Sequence, residues 1–372
     1  MINYCINCLN PSTRPNTNFD EEGYCPVCSY EINKIEKNID WEERKVELNR
    51  IKEWGKKNTK STYDCIVTVS GGKDSMRQAF FVRDELGMNP LLISSIYPPE
   101  HLHERGAENL SNLINHGFNC LSLSLDPVIW KKLLRNSFLK FGNYAKSSEM
   151  ALYAIPIHLA IANKIPLLFY GENPIYTIGE SHGGKGGNAI SIQEGNTIKG
   201  GPKGLKFKLF NKTDYYFYEY PSYNDIKDAD LKISYLGYYM QDWYGFKNAE
   251  LAIKNGLKIR EEKPKDIGDL WGVSALDDDF TMLNQYFKYL KYGYGRVTDQ
   301  VCEAIHQGLM TREEALILVK KYDGKCSKKF IKFFCDYIEI SDKTFEKTVD
   351  RIVNKKLFKK VNNTWKPIFK IF

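Results

Sequence analysis

Six consecutive small and polar residues at positions 70–75 are the part of the sequence best suited to chemistry. An apolar run at 65–69 precedes Ser-Gly-Gly-Lys-Asp-Ser, and an amphipathic pattern continues to Leu86, with Gly87 as a helix stop. A strand, a glycine turn and a helix N-terminus form an anion cradle, because free backbone N–H groups and the positive dipole end point at the bound group. The pattern predicts a phosphate-binding loop.

The loop differs from the two commonest nucleotide-binding motifs. Gly-x-x-x-x-Gly-Lys-Ser/Thr would need glycine in place of Val67 and a hydroxyl residue in place of Asp74, and Gly-x-Gly-x-x-Gly does not occur. Lys73 offers countercharge, and the carboxylate of Asp74 suits magnesium. An ordinary glycine turn is the alternative. The expected ATP and pyrophosphate contacts are Ser70, Gly71, Gly72, Lys73, Asp74 and Ser75.

The hexapeptide resembles the PP-loop of the ATP pyrophosphatases. The resemblance implies an enzyme that cleaves ATP between its α and β phosphates, leaves AMP on a substrate oxygen and releases pyrophosphate. The net charge of +7, from 53 basic and 46 acidic residues, suits an anionic substrate such as a nucleotide sugar and also nucleic acid, and it is too small to choose between them.

Four of the nine cysteines have the spacing of a metal site. They form two Cys-x-x-Cys pairs with sixteen residues between them, namely Cys5, Cys8, Cys25 and Cys28. This spacing predicts a structural zinc ion, because four thiolates leave no open coordination position. Two disulfides are the alternative. The other five cysteines are expected in core packing.

Alternating strand and helix patterns predict an α/β fold with a doubly wound parallel sheet. In such a sheet ligands bind beyond the carboxyl ends of the strands, which places Glu172 near the loop as a candidate catalytic residue. The predicted parts are a zinc-binding knuckle at 1–35, a helical linker at 36–60, a PP-loop ATP-pyrophosphatase domain (adenine nucleotide alpha hydrolase-like) at 61–225 with a glycine-rich loop at 179–204, and a mainly helical C-terminal region at 226–372.

Three further features allow two interpretations each. The glycine-rich loop at 179–204 is either a lid over the nucleotide or a surface loop. The acids at 277–279 are either magnesium ligands or helix-start acids, and the aromatic run at 215–223 either stacks on a ligand or packs in the core.

Composition and the loop between the cysteine pairs indicate where the protein acts and which partners are disfavoured. No run approaches the roughly 18 apolar residues of a membrane span, and no signal peptide is evident, so a cytoplasmic protein is expected. The loop between the two pairs holds one arginine, Arg14, against the acids Asp20, Glu21 and Glu22. Such a loop is a poor phosphate-binding surface, which disfavours nucleic acid.

Over most of its length the chain resembles the bacterial N-acetyl sugar amidotransferases of lipopolysaccharide and nonulosonic-acid (pseudaminic-acid-type) biosynthesis. The resemblance is carried by the cysteine pattern at 4–28 with Thr-Arg-Pro, the loop at 70–75, the segment 108–118 and the tail segments between 293 and 324. Residues 101–105, His-Leu-His-Glu-Arg, depart from the family's pattern.

The resemblance implies that the acetamido oxygen of a nucleotide-linked sugar is adenylated and replaced by ammonia. The product is an acetamidino sugar for surface polysaccharide such as O-antigen, with AMP and pyrophosphate released. Adenylation fits the chemistry, because an amide carbonyl is a poor electrophile and its oxygen a poor leaving group. Lys73 and Asp74 are the expected catalytic residues at the phosphates, with ATP and magnesium as co-substrate, and Glu172 is expected to bind magnesium or handle the proton of ammonia.

The ammonia is expected from a separate glutaminase subunit. No Gly-x-Cys-x-Gly elbow occurs, and the first cysteine already belongs to the zinc set. The resemblance also allows a cyclase-like partner.

Two rival functions remain at this stage. A PP-loop tRNA-thiolation enzyme would need reactive cysteines in its catalytic domain, whereas Cys65 and Cys120 are isolated in predicted strands. A zinc-knuckle binding protein with a degenerate ATPase domain is disfavoured, because the loop keeps every polar member. The identity of the sugar, its reacting position, its nucleotide carrier and the oligomeric state are open.

Overall fold

The computed structural model describes residues 2–36, 38–177, 187–190, 192 and 211–371. Its strands are β1 (Cys65–Thr68), β2 (Pro90–Ile96), β3 (Cys120–Ser124), β4 (Leu167–Tyr170), β5 (Lys232–Tyr235), β6 (Phe358–Val361) and β7 (Thr364–Pro367). Most of the predicted glycine-rich loop lies outside the described residues.

The helices follow the same chain order. They are α1 (Pro26–Ile35), α2 (Trp41–Asn58), α3 (Lys73–Phe80), α4 (Glu104–Asn115), α5 (Pro127–Phe141), α6 (Ala145–Asn163), α7 (Pro174–Thr177), α8 (Lys212–Tyr215), α9 (Tyr223–Asp228), α10 (Gly245–Lys254), α11 (Pro264–Ile267), α12 (Thr281–Tyr292), α13 (Arg296–His306), α14 (Arg312–Tyr322), α15 (Lys328–Tyr337) and α16 (Asp342–Ile352).

Five parallel strands form the central sheet, in the order β3-β2-β1-β4-β5. Successive side chains of β1 point to opposite faces: Ile66 joins a core with α5, α6 and the C-terminal helices, and Val67 joins one with α2, α3, α4 and α10. Both faces are therefore covered, as parallel sheets require. The predicted doubly wound α/β fold is confirmed, as is the helical C-terminal region.

The sequence analysis did not predict strand β5 or the hairpin of β6 and β7. β5 is four residues long and pairs with β4, although the pattern from residue 224 onward predicts mainly helix. β6 and β7 form an antiparallel hairpin, and its turn residues Asn362 and Asn363 have positive φ values of 47° and 58°. Consecutive left-handed residues form the type I′ turn that joins twisted strands, so the Asn-Asn pair was a usable hairpin signal.

A third core joins the N-terminal cysteine unit to the C-terminal helices. The four cysteines and Leu9 pack with Val297 and Val301 of α13 and with Ala315 and Val319 of α14. Residues nearly 300 positions apart in the sequence thus share one hydrophobic cluster, and this contact positions α13 relative to the sheet.

Asp323 fixes the start of α13. Its buried carboxylate accepts hydrogen bonds from the backbone N–H groups of Gly295 (2.8 Å) and Val297 (3.1 Å) and from the hydroxyl of Thr298 (2.7 Å). A helix N-terminus leaves such N–H groups without partners inside the helix, and a carboxylate there also meets the positive dipole end. The tail segments around 295 and 323 therefore act together as one helix cap.

Asp323→Ala is expected to lower the free energy of unfolding by about 2–4 kcal/mol, because several buried donors lose their acceptor. Asp323→Asn should lose less, since one amide oxygen remains. Denaturant unfolding measures both variants. Asp336→Ala is the control, because Asp336 is 62% exposed and forms only a surface pair with Lys332. A loss for Asp323→Ala no larger than for the control would contradict this role.

Candidate active site

The loop at 70–75 and Glu172 face each other across the switch point of the sheet. From β1 the chain continues to β2 and β3 on one side, while β4 and β5 lie on the other, so β1 and β4 are neighbours that lead into different halves. A crevice for ligands opens beyond the carboxyl ends of such a strand pair. The loop follows β1 and Glu172 follows β4, which places both predicted sites at this crevice.

Gly71 allows the loop its tight path. It has φ +83°, and a Cβ atom there would lie 2.6 Å from the backbone nitrogen of Leu110 in α4. Both the backbone conformation and the close approach therefore exclude a side chain. The Ser70 N–H donates to the hydroxyl of Ser75 (2.8 Å), which closes the loop over the start of α3. The close approach also gives the Asn109-Leu110 segment a structural role, because its backbone lies against the loop.

Lys73 and Asp74 form an ion pair at the first turn of α3. The second carboxylate oxygen of Asp74 accepts a hydrogen bond from Asn248 Nδ2 of α10 (2.8 Å). Burial works against ionisation, but Lys73, Asn248 and Arg296 together hold the pKa of Asp74 below its usual value. The Asp74 side chain is 46% exposed, so its ionised carboxylate faces the crevice. Carboxylate oxygens are the ligands that magnesium prefers.

Glu172 presents an unsatisfied carboxylate oxygen. Tyr153 of α6 donates to Oε1 (3.2 Å), whereas the buried Oε2 has no hydrogen-bond partner among the described residues. Burial raises the pKa of Glu172, and the nearby charge of Asp74 adds to this. A buried acceptor without a partner is costly, and it indicates a ligand, an ion or a proton donor at this point.

Two cavities meet at the loop. The main cleft, about 550 Å³, extends from Lys73 and Asp74 past Glu172 to the cysteine unit. The second, about 280 Å³, covers Ser70, Gly72 and Ser75 and ends at residues 273–277. The residues that line both are Lys73, Asp74, Gln285 and Arg296. The phosphate loop is thus reached from two sides.

Arg296 is the cation that the C-terminal helices bring to the loop. It is the first residue of α13, its Nη2 donates to the hydroxyl of Ser274, and its Nε lies 3.8 Å from the buried carboxylate of Asp269. Nε is buried and has no hydrogen-bond partner in the described part of the chain. Together with Lys73, Arg296 gives the wall between the two cavities cationic N–H donors suited to phosphate oxygens.

Arg14 and Lys288 line the main cleft, but each is already paired. Both donate to the carboxylate of Asp299 in α13, and Thr13 donates to the backbone carbonyl of Tyr292. Burial works against ionisation of Asp299, but Lys288, Arg14 and Arg296 hold its pKa below the usual value. The Thr-Arg-Pro segment therefore attaches the cysteine unit to α12 and α13.

The four cysteines form a closed cluster that could hold a metal ion. All are fully buried, and their Sγ atoms lie within 4.8 Å of one another, with Cys5–Cys28 at 3.5 Å and Cys8–Cys25 at 3.8 Å. A tetrahedral ion at about 2.3 Å from each sulfur places the sulfurs about 3.8 Å apart, so the set fits one metal ion. These separations exclude the two-disulfide alternative, which needs about 2.05 Å.

The metal site forms part of the cleft wall. Cys25 lines the main cleft beside Cys302 and His306 of α13, and His306 Nε2 lies 3.2 Å from Cys28 Sγ. The cysteine cluster therefore contacts α13, the helix that carries Arg296.

Two of the three acids at 277–279 form ion pairs with other side chains. Asp278 binds His101 Nε2 (2.9 Å), and Asp279 binds Arg105 (3.2 Å) and Arg260 (2.7 Å). This network accounts for the sequence His-Leu-His-Glu-Arg at 101–105, which packs against these acids. Only Asp277 lines the cavity over the loop. The finding favours the structural interpretation for Asp278 and Asp279.

Sequence analysis missed several residues of the cleft. Gln285 and Tyr153 line the cleft and the buried Asn248 holds Asp74, but all three lie in ordinary helix patterns, where a polar residue on an inward face gives no signal by itself. Arg296 had a signal, because it ends the Gly-Tyr-Gly-Arg segment at 293–296, but nothing linked that segment to the phosphate loop.

Comparison with known proteins connects the C-terminal wall of the cleft to polysaccharide biosynthesis. Residues 277–371, about a quarter of the chain, match the family model described as LPS biosynthesis protein WbpG-like, C-terminal domain. This segment supplies Gln285, Lys288 and Arg296 to the cleft. The match supports the resemblance to lipopolysaccharide-biosynthesis proteins over this segment, and the loop at 70–75 lies outside it.

Other comparisons add less. A search of curated proteins found no match. Among solved structures, the U34-tRNA thiolase NcsA from Methanococcus maripaludis, with its [4Fe-4S] cluster, is similar at 14% sequence identity and a TM-score of 0.33, over 87% of this chain and 88% of that one. A TM-score of this size carries no argument about function. Within the described ranges, no helix is both long and apolar enough to cross a bilayer.

Cys8→Ser is expected to lower bound metal from about one zinc ion per chain to well below half, because a three-thiolate site holds zinc less tightly. Elemental analysis of the purified protein measures this. Cys326→Ser is the matched control, since Cys326 lies outside the cluster. Equal metal content in the two variants would contradict the assignment of the site.

Proposed function

We propose that the protein is an ATP-dependent amidotransferase that converts the acetamido group of a nucleotide-linked sugar into an acetamidino group, with release of AMP and pyrophosphate. The proposal rests on one observation: two separate segments of the chain form walls of the same cleft. One wall is a PP-loop-type sequence at the switch point, and the other is the segment similar to lipopolysaccharide biosynthesis proteins.

The first step is the transfer of AMP to the acetamido oxygen. The amide oxygen attacks the α-phosphorus, the bond to the β-phosphate oxygen breaks, and pyrophosphate leaves. Lys73 and Arg296 stabilise the charge that grows on the leaving pyrophosphate, and the N–H groups around Gly71 and Gly72 orient it. Magnesium at Asp74 would add further charge neutralisation when bound.

The second step is the attack of ammonia on the activated carbon. Ammonia adds, AMP leaves with the former acetamido oxygen, and the amidine nitrogen remains on the carbon. Glu172 takes the proton that the incoming nitrogen must lose, because its Oε2 is an available acceptor in the cleft. A separate glutaminase subunit supplies the ammonia, and a cyclase-like subunit completes the assembly.

The four-cysteine site is assigned a structural role with zinc. Four thiolates fill a tetrahedral ion, and the site holds α13 against the cleft through the cluster of Val297 and Val301. When bound, zinc neutralises thiolate charge and fixes the fold of the unit.

The rival tRNA-thiolation function receives little support from cysteine positions. Cys65 is fully buried in β1, and Cys120 lies in the edge strand β3. Among the described residues, the cysteines that line the main cleft are Cys25, a member of the metal site, and Cys302 beside it.

The intact protein, incubated with ATP, magnesium, ammonium and a panel of nucleotide-linked acetamido sugars, is expected to produce AMP, pyrophosphate and a sugar about one mass unit lighter, because NH replaces oxygen. Mass spectrometry and phosphate analysis measure the products. Glutamine without a glutaminase should not replace ammonium. ADP with orthophosphate, or turnover with tRNA and none with sugars, would overturn the proposal.

Arg296→Met is expected to lower the rate of AMP formation about 100-fold, because a preorganised charge at the leaving pyrophosphate is lost. Initial rates at saturating ATP measure the effect. Arg50→Met, at an exposed position of α2, is the control for the charge change. A rate within two-fold of wild type for Arg296→Met would remove Arg296 from the mechanism.

The ammonia-dependent step is expected to slow as the pH falls through the raised pKa of Glu172, because burial makes its carboxylate take up a proton at higher pH than an ordinary glutamate. The assay holds the concentration of free ammonia constant while the pH varies. Glu172→Gln should lack this limb of the profile. The same limb in Glu172→Gln would assign it to another group.

A further inference from the structure

A third cavity adjoins the main cleft and has an unusual lining. It encloses about 360 Å³, within the range of roughly 300–1,000 Å³ typical of small-molecule sites. Three buried acceptor oxygens in its wall have no hydrogen-bond partner among the described residues: Asn10 Oδ1, Glu149 Oε2 and Gln285 Oε1. They come from the cysteine unit, α6 and α12, so separate elements converge on one space.

The arrangement favours a ligand rich in hydrogen-bond donors. Amide groups can turn to offer either oxygen or NH₂, but an ionised carboxylate only accepts, so Glu149 sets the character of the site. Burial raises the pKa of the Glu149 carboxyl to about 7, which reflects the cost of holding its charge without donors. Sugar hydroxyls and amide N–H groups would satisfy this carboxylate and favour its ionised form.

The cations around the cavity already have hydrogen-bond partners. Arg14 and Lys288 share Asp299, and Lys291 donates to the backbone carbonyl of Gly142 (2.9 Å). The rings of Tyr292 and Tyr294 line the same cavity with their centroids 6.3 Å apart. Arg14 and Lys288 each lie 4.9 Å from the centroid of the Tyr294 ring, so Tyr292 is the ring of this pair that suits the mixed C–H and O–H surface of a pyranose.

We propose that this cavity is the sugar subsite, in which Glu149, Gln285 and Asn10 accept hydrogen bonds from the ring substituents of an acetamido sugar. Seven residues line both this cavity and the main cleft, so a bound sugar can extend its acetamido group toward Asp74 and Glu172. The choice of an acetamido sugar as ligand rests on the proposed function, while the need for a donor-rich ligand rests on the cavity alone.

Calorimetry without ATP or ammonium tests the subsite separately from turnover. The probes are UDP-linked 2-acetamido sugars of gluco, galacto and manno configuration, each against UDP alone. The wild-type protein is expected to bind at least one of the sugars about ten-fold or more tightly than UDP, and Glu149→Ala should lose about 10–100-fold of that sugar affinity. ATP affinity should stay unchanged.

Glu149→Gln keeps the shape of the side chain and one acceptor oxygen, so an intermediate loss is expected, because hydrogen bonds to a charged acceptor are about twice as strong. Neither variant should melt at a lower temperature than wild type, since the replaced carboxylate oxygen has no partner to lose. Glu42→Ala, at a side chain 84% exposed in α2, is the control.

Two results would overturn the subsite: no preference of the wild type for any sugar over UDP, or wild-type sugar affinity in Glu149→Ala. Sugar-specific binding that depends on Glu149, without AMP formation, would keep the subsite and reject the proposed reaction. A melting temperature lowered in both Glu149 variants would assign Glu149 to structure.

Discussion

The cleft depends on ion pairs that share the partly buried carboxylate of Asp299. Arg14 of the cysteine unit and Lys288 of α12 both donate to it, and Asp299 itself belongs to α13. A partly buried charge is costly without its partner, so removal of the Asp299 carboxylate would leave Arg14 and Lys288 uncompensated. The geometry that faces the phosphate loop, including Arg296 at the start of α13, follows from this junction and from the hydrophobic cluster beside it.

The phosphate loop differs from the carboxylates of the facing cleft and its adjoining cavity in how charged groups are held. At the loop, Asp74 is ionised and shared between Lys73 and Asn248, so the first turn of α3 is fixed before any nucleotide arrives. Across the crevice, Glu172 and Glu149 each keep one oxygen without a partner in the described chain. Fixed charges at one end and unsatisfied acceptors at the other suit a site that holds phosphates and a polar second substrate side by side.

Local patterns in the sequence were enough to predict the loop, the cysteine set and the alternating sheet, because each depends on residues close together in the chain. Cys5, Cys8, Cys25 and Cys28 converge as their spacing indicates, and β1 ends at the phosphate loop as expected. The rest depends on long-range contacts. Arg14 was interpreted from its acidic neighbours, whereas its partner is 285 residues away. β5 carries too few residues for its period to be distinguished from helix, and the polar residues Gln285 and Glu149 gain meaning only from the cavity they share.

The junction between the cysteine unit and α13 also sets a timetable for synthesis. Cys28 leaves the ribosome about 270 residues before Val297, its partner in the third core, which at about 5–20 residues per second amounts to a delay of roughly 13–54 seconds. Throughout that interval the thiols lack the helix that later shields them, so early metal capture protects them from oxidation. The nascent sheet can assemble meanwhile, but the loop at 70–75 stays without Arg296 until the last fifth of the chain emerges.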